Sequence, residues 1–160
     1  MAGHTVTPWG GILIIIGGHV KVKDAAATLT VRTVDTANLV HSAVAVAGPP
    51  PPARGCHTST LIGGKVYVFG GEDGARRPLN DLHVLDLSAM CWQHPKVLGH
   101  PPPPRSAHTA AAYLDRYLVV FGGGSEATCF GDVHVLDTVS GAARGLRDAA
   151  CMHTGSNPVP

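Results

Sequence analysis

The sequence predicts an all-β fold of repeated four-stranded units set around a common centre. Three observations predict it. A block occurs twice, over residues 50–87 and 101–138, with Arg54 and Arg105, His57 and His108, Asp81 and Asp132, and Asp86 and Asp137 each 51 positions apart. In both copies a glycine pair closes an apolar strand, and Gly70 and Gly71 precede Gly122 and Gly123 by 52. No stretch shows a helical apolar period with caps. A period near 50 with a glycine pair ending a strand marks a radial β array.

The elements follow in order. An upstream copy places ILIIIGG, residues 12–18, where the later glycine-pair strands lie; Gly17 precedes Gly70 by 53, and Val34 and Asp35 precede Leu85 and Asp86 by 51. This copy is expected to be partial, because its strand begins only a few residues after Met1. In the later copies the first strands are expected at 57–61 and 108–112, the second at 65–69 and 116–121, and the third at 82–85 and 133–136. A weak fourth is expected at 91–97 in the better copy only, led by Trp92. These segments are rich in Val, Tyr, Phe and Leu and are bounded by Gly, Pro, Asn and Asp. The Ala-rich stretch 107–114 aligns with a segment of strand character and is read as a strand.

The second strands are apolar on both faces. Val66 and Val68 oppose Tyr67 and Phe69, and Leu118 and Val120 oppose Val119 and Phe121. That pattern predicts a sheet packed on both sides. The glycine pairs supply positive φ or a close backbone approach at the strand exit. Asp86 and Asp137 close the third strands where Asx turns begin. The proline runs at 49–52 and 101–104 fall between units and are read as connections, since proline cannot feed a central ladder.

Composition excludes several classes. Twelve basic and eleven acidic residues give a near-neutral chain with no basic stripe for nucleic acid or membrane surface. The longest aliphatic run, Ile12–Ile16, is far short of a membrane helix. The N-terminus has no basic n-region or adequate apolar h-region. Cys56, Cys91, Cys129 and Cys151 form no CxxC and are read as reduced thiols of a cytoplasmic protein.

Candidate sites are weighed against the repeat. His57 and His108 are equivalent, as are His83 and His134. Residues that recur in every unit serve the unit, so neither a metal nor a cofactor is expected. Arg54 and Arg105 could seat an anion at the centre or make an ion pair where each unit starts. Gly122–Gly123–Gly124–Ser125 matches neither a phosphate loop nor a nucleophile elbow, and no Ser/His/Asp or Cys/His catalytic set stands out. The polyproline runs read as SH3 or WW ligands or as linkers. The loops that vary over the fixed frame are 72–78 (EDGARRP) and 125–130 (SEATCF). Variation of this kind is where a scaffold places recognition, so a partner-binding surface is expected at Glu72, Asp73, Arg76 and Arg77.

The repeated residues resemble kelch repeats. The signature runs Arg-x-x-His, an apolar strand ending in Gly-Gly, Asp-apolar-x-apolar-x-Asp, then an aromatic. It is carried by Arg54, His57, Gly70, Gly71, Asp81, Asp86 and Trp92, and in the second copy by Arg105, His108, Gly122, Gly123, Asp132 and Asp137. The strings VFGGEDGARRPLNDLHVLDL and RYLVVFGGGSEATCFGDVHVLD, with WGGILIIIGGH followed by VDT, resemble the kelch region of plant acyl-CoA-binding proteins. The resemblance implies a β-propeller and a non-catalytic protein–protein interaction module. It also implies acyl-CoA binding only through a helical domain for which this chain has no residues. An enzyme or a metal-dependent specifier protein on the same fold is the alternative, but neither a Glu-x-x-x-Asp-x-x-x-His pattern nor a Tyr–His–Cys copper set occurs.

The expected architecture is a partial propeller of about two and a half four-stranded blades. It comprises a partial blade over 1–48, a complete one over 49–99, one with a degenerate fourth strand over 100–142, and an irregular tail over 143–160. Register fades after Ser140, where the place of Trp92 falls near Ala143. Propellers close with 4–8 blades. An open arc forgoes on the order of 10 kcal/mol per uncovered face, at ~25 cal/mol/Å² over a few hundred Å², against a domain stability of about 5–15 kcal/mol. The chain is therefore expected to be marginally stable, aggregation-prone or dependent on further blades.

Overall fold

The computed structural model describes residues 3–18 and 27–146. Among them, thirteen strands form three sheets. The first sheet is an antiparallel meander of β1 (Thr5–Trp9), β2 (Ile12–Ile16), β3 (Val31–Asp35) and β4 (His41–Ala43). The second repeats that order with β5 (Thr58–Ile62), β6 (Lys65–Phe69), β7 (Leu82–Asp86) and β8 (Cys91–Gln93). The third has β10 (Thr109–Tyr113), β11 (Tyr117–Phe121), β12 (Val133–Asp137) and β13 (Ala142–Leu146), with β9 (Leu98–Gly99) added in parallel outside β13. The leading strands β1, β5 and β10 lie side by side, so the three sheets fan from a shared inner edge.

Turn chemistry sets each meander. Gly63 and Gly64, both at positive φ, close the β5–β6 hairpin in two residues, as a primed turn requires. The β10–β11 hairpin uses three residues, Leu114, Asp115 and Arg116, the first two also at positive φ. That extra residue accounts for the change of offset from 51 to 52 between the paired histidines and the paired glycines. The acceptor Asp recurs after each third strand. Asp35 Oδ1 accepts from Ala37 N at 2.8 Å, Asp86 Oδ1 from Ser88 N at 3.0 Å and Asp137 Oδ1 from Val139 N at 3.0 Å. Pro8 is accommodated because β1 is an edge strand.

Packing follows the two-faced strands. Ile14, Ile16 and Val31 of the first sheet meet Val66, Val68, Leu85 and Trp92 of the second in one core layer. Tyr67, Phe69, Leu82 and Val84, on the other face of the second sheet, meet Leu118, Val120, Leu136 and Ala143 of the third. Each fully buried aliphatic or aromatic side chain in these layers contributes roughly 1.5–3 kcal/mol. Among the described residues the middle sheet is thus covered on both faces, whereas each outer sheet is covered on one.

The all-β blade architecture is the one expected, and the two blades expected to be incomplete are fuller than expected. The first sheet has all four strands. In the third, Ala142–Leu146, placed partly in the irregular tail, is a strand: Ala143 pairs with Leu136 as Trp92 pairs with Leu85. Backbone bonds to β12 define it, and those bonds require no apolar side chain. The weak fourth strand expected at 91–97 is shorter, Cys91–Gln93, and stays with its own sheet; Leu98–Gly99, just beyond the expected range, crosses to the next. A parallel bridge from Ala47 to Cys91 repeats that crossing one blade earlier. The rest of the tail, 147–160, lies outside the described residues.

Candidate functional site

The repeated Arg, Asp and His residues form a brace inside each blade. Arg54 is fully buried and grips Asp81 with both terminal guanidinium nitrogens, Nη1 to Oδ1 and Nη2 to Oδ2, the latter at 2.8 Å. Its remaining donors reach the Gly70 carbonyl and the Pro52 carbonyl, each at 3.2 Å. His83 Nε2 closes the cluster on Asp81 Oδ2 at 2.8 Å. The third sheet repeats it: Arg105 holds Asp132 at 2.7 and 3.0 Å and the Gly122 carbonyl at 2.8 Å, His134 meets Asp132 at 2.9 Å, and Phe130 stacks 4.3 Å from the guanidinium. Burial raises the pKa of Asp81, but the bonds from Arg54 and His83 override it and hold the carboxyl well below the usual range. The bond from Arg105 does the same for Asp132, against a smaller opposing effect of burial. Each of these buried guanidiniums makes four hydrogen bonds to the frame of its own blade.

His57 and His108 serve a different contact, between blades. His57 Nε2 lies 3.3 Å from Thr5 Oγ1 of the first sheet, and His108 Nε2 lies 2.9 Å from Thr58 Oγ1 of the second. Burial lowers the pKa of His108 to about 4, the charge of Arg105 adding to the effect and a backbone hydrogen bond at Phe69 opposing it. The glycine pairs sit where these elements meet. Gly71 has φ +92°, and a Cβ there would lie 2.6 Å from the Gly55 carbonyl oxygen and 2.8 Å from His57 Cβ.

The sequence reading passed over one member of this series. The dipeptide His-Thr occurs four times, and the occurrences at 4–5, 57–58 and 108–109 fall at the repeat interval whereas that at 153–154 does not. Thr5 is the residue His57 touches, and His4, which stands where His57 and His108 stand in their blades, is exposed. The triple His-Thr recurrence at 53 and 51 positions was the available signal.

The variable loops leave β6 and β11 at the same end of their sheets. In loop 72–78 the carboxylates anchor the arginines: Asp73 Oδ2 accepts from Arg77 Nε at 2.9 Å, and Glu72 Oε1 lies 3.4 Å from Arg76 Nη1. Asp73 Oδ1 also accepts the backbone N–H groups of Ala75 and Arg77, at 2.9 and 3.0 Å. The Arg77 backbone bond leads in holding the Asp73 pKa below its ordinary value. The two arginine side chains remain 81% and 74% exposed. The four residues therefore form one cross-braced loop presenting two guanidinium heads. In loop 125–130, Ser125 N donates to the Thr128 carbonyl at 2.8 Å and Phe130 N to the Gly123 carbonyl at 2.8 Å, leaving Glu126 to Cys129 exposed.

Between the second and third sheets lies a cavity of about 290 Å³ lined by Phe69, Leu82, Val97, Leu118, Leu136 and Ala143, among others. A second of about 290 Å³, lined by the equivalent Leu29, Val31, Val44 and Trp92, lies one blade earlier. A recurring gap of this kind belongs to blade spacing. No three of His, Cys, Asp and Glu converge among the described residues in a way that could hold a metal ion. The Asp–His pairs hold their imidazoles by Nε2, and the Nδ1 atoms of His83 and His134 are buried without a hydrogen-bond partner. Cys56, Cys91 and Cys129 carry free thiols.

Four-stranded meanders fanned edge to edge, braced internally and varied in their loops define a propeller-type recognition scaffold. The kelch-repeat model described as the KLHDC2/KLHL20/DRC7 Kelch-repeats domain matches residues 3–158, and the chain belongs to the kelch-repeat family. It is 47% identical over 136 residues to acyl-CoA-binding domain-containing protein 5 of Arabidopsis thaliana, covering 85% of this chain and 21% of that protein. It is 48% identical over 129 residues to acyl-CoA-binding domain-containing protein 6 of Oryza sativa subsp. japonica, covering 81% and 19%. To the Rab9 effector protein with kelch motifs of Homo sapiens it is 42% identical over 81 residues, covering 49% and 22%. The chain spans about a fifth of the length of these curated relatives. The fold and the family make it a protein-interaction module.

Proposed function

We propose that this chain is a non-catalytic docking scaffold, equivalent to the propeller part of an acyl-CoA-binding protein, that engages protein partners through loop 72–78. Its carrying observation is the cross-braced loop: Glu72 and Asp73 fix Arg76 and Arg77 in place while both guanidinium heads stay open to solvent. A preorganised pair of guanidiniums suits carboxylates or other planar anions on a partner's surface. Non-catalytic action is supported by braces that direct their charged groups inward to the frame. Acyl-CoA binding is assigned to a part of such proteins outside this chain, and a cytoplasmic location is proposed from the near-neutral charge.

Charge reversal tests the reading. Immobilised chain carrying Arg76→Glu and Arg77→Glu is expected to lose the partners that the unaltered chain retains, while the β-sheet circular dichroism stays the same. An unchanged partner set would end it.

A further inference from the structure

An antiparallel meander puts its first and third turns at one end and its second turn at the other. Loops 72–78 and 125–130 are second turns. The first and third turns of the three sheets gather at the opposite end, and there the leading strands β1, β5 and β10 set their turns in a row. The row is tied between blades: Gly63 N donates to Asp115 Oδ1 at 2.9 Å. In the first two blades the turn is Gly10–Gly11 and Gly63–Gly64, and a Cβ at Gly10 or Gly63 would meet nothing within 4 Å. Gly63 belongs to the blade covered on both faces, so a side chain at this place stands in open solvent even where a neighbouring blade is stacked alongside. In the third blade the place is taken by Leu114, at φ 53° and 71% exposed. That backbone favours glycine, and the glycines at the equivalent places show that the turn needs no leucine. Val139 repeats the pattern in the third turn of its sheet: it is 78% exposed, and its equivalent in the middle blade, Ser88, is exposed too. Trp9, at the far end of the row, is 37% exposed, where its equivalent Ile62 is 2% exposed.

Strain and exposure carried by apolar side chains that the fold does not require mark a place of contact. We propose that this end of the sheets is a second docking surface, on which a partner protein seats an apolar side chain over Gly63–Gly64, between Trp9 and Leu114, and sets a Lys or Arg against Asp115. Charge selects the basic partner. Lys65 is paired with Asp86 at 3.4 Å and Arg116 with Asp137 at 2.6 Å. Asp115, among the described residues, meets only the Gly63 N–H. The row therefore sets an uncompensated carboxylate beside its apolar side chains, and a cation on the partner complements it. Both cations of the row are already paired, so it has none free to draw the anionic headgroups of a membrane surface. The surface does not rest on loop 72–78, which lies at the other end of the sheets.

Selection from a random peptide display library on the immobilised full 160-residue chain tests this. Peptides that bind the row are those weakened by Leu114→Gly and unmoved by Arg76→Glu with Arg77→Glu, which separates them from any held by loop 72–78. They are expected to pair an apolar residue with an adjacent Lys or Arg. Leu114→Gly is expected to weaken them about tenfold, the scale of one lost anchor, and Val139→Ser to weaken them further. Each of these variants takes the residue that the middle blade has at that place, so Tm is expected to stay level or rise. Asp115→Asn keeps an acceptor for Gly63 N and removes the charge, and it is expected to abolish the preference for basic over neutral peptides. A fall in Tm with Leu114→Gly would give the leucine a structural role and overturn the proposal. So would a selection with no peptide weakened by Leu114→Gly, or one in which the weakened peptides are acidic. Binding to phosphatidylcholine–phosphatidylserine vesicles that Leu114→Gly removes would also overturn it, in favour of a lipid surface.

Discussion

Removing the Arg54 side chain would leave Asp81 with His83 alone and take the partner from the buried Gly70 carbonyl. Breaking a buried ion pair from one side typically costs 3–5 kcal/mol, because the other charge is left uncompensated. Asp81 is partly open to solvent, which places the expected loss near the lower end: Arg54→Ala should lower unfolding free energy by about 3 kcal/mol in a denaturant titration. Arg54→Lys should recover little, since an ammonium cannot hold two carboxylate oxygens and two carbonyls at once. His108 gives a pH signature. Its ring is neutral in the fold, with a pKa near 4, and near 6.5 when unfolded. As pH falls between those values the unfolded chain takes up the proton and the folded one does not. Its share of stability is therefore complete above about pH 6.5 and is lost progressively toward pH 4. Thermal melts from pH 8 to pH 4.5 should show Tm falling through this window, with a shallower fall in His108→Gln.

At the scale of elements, what side chains announce was legible and what backbone pairing decides was not. The glycine pairs, the Asp that ends each third strand, and the two-faced apolar strands mark β2, β6, β7, β11 and β12 in the sequence itself. Loop 72–78 was legible as a variable segment. Its internal ion pairs were not, because a four-residue spacing of opposite charges outside a helix does not reveal the turn that brings them together. β13 was invisible for a different reason. Its residues, Leu146 apart, are small or charged, and it exists because β12 offers one edge and Leu98–Gly99 lies on the other. Ala143, in the place of Trp92, lines the cavity of about 290 Å³ between the second and third sheets. Filling a cavity at a compatible site commonly adds 0.5–2 kcal/mol. Ala143→Trp should therefore raise Tm by a few degrees, because the equivalent strand position already accepts an indole that is 2% exposed. A fall in Tm would show that the gap is narrower than the indole it is meant to receive.

Over the whole molecule, stability depends on how many blade faces are covered. The middle sheet illustrates the finished state, with Val66, Val68 and Leu85 at 0% exposure on one face and Phe69 at 4% on the other. Among the described residues each outer sheet has one face of that kind. The repeats made the three blades legible in the sequence but not which of their faces are covered, because Phe69 and Phe121 are the same residue at equivalent positions and differ only in what packs against them. Phe69→Ala should therefore lower the unfolding free energy by about 3–5 kcal/mol in a denaturant titration, whereas Phe121→Ala, at a position 51% exposed, should change it by about 0.5 kcal/mol or less. Equal losses at the two positions would show that the outer face of the third sheet is buried as its inner face is.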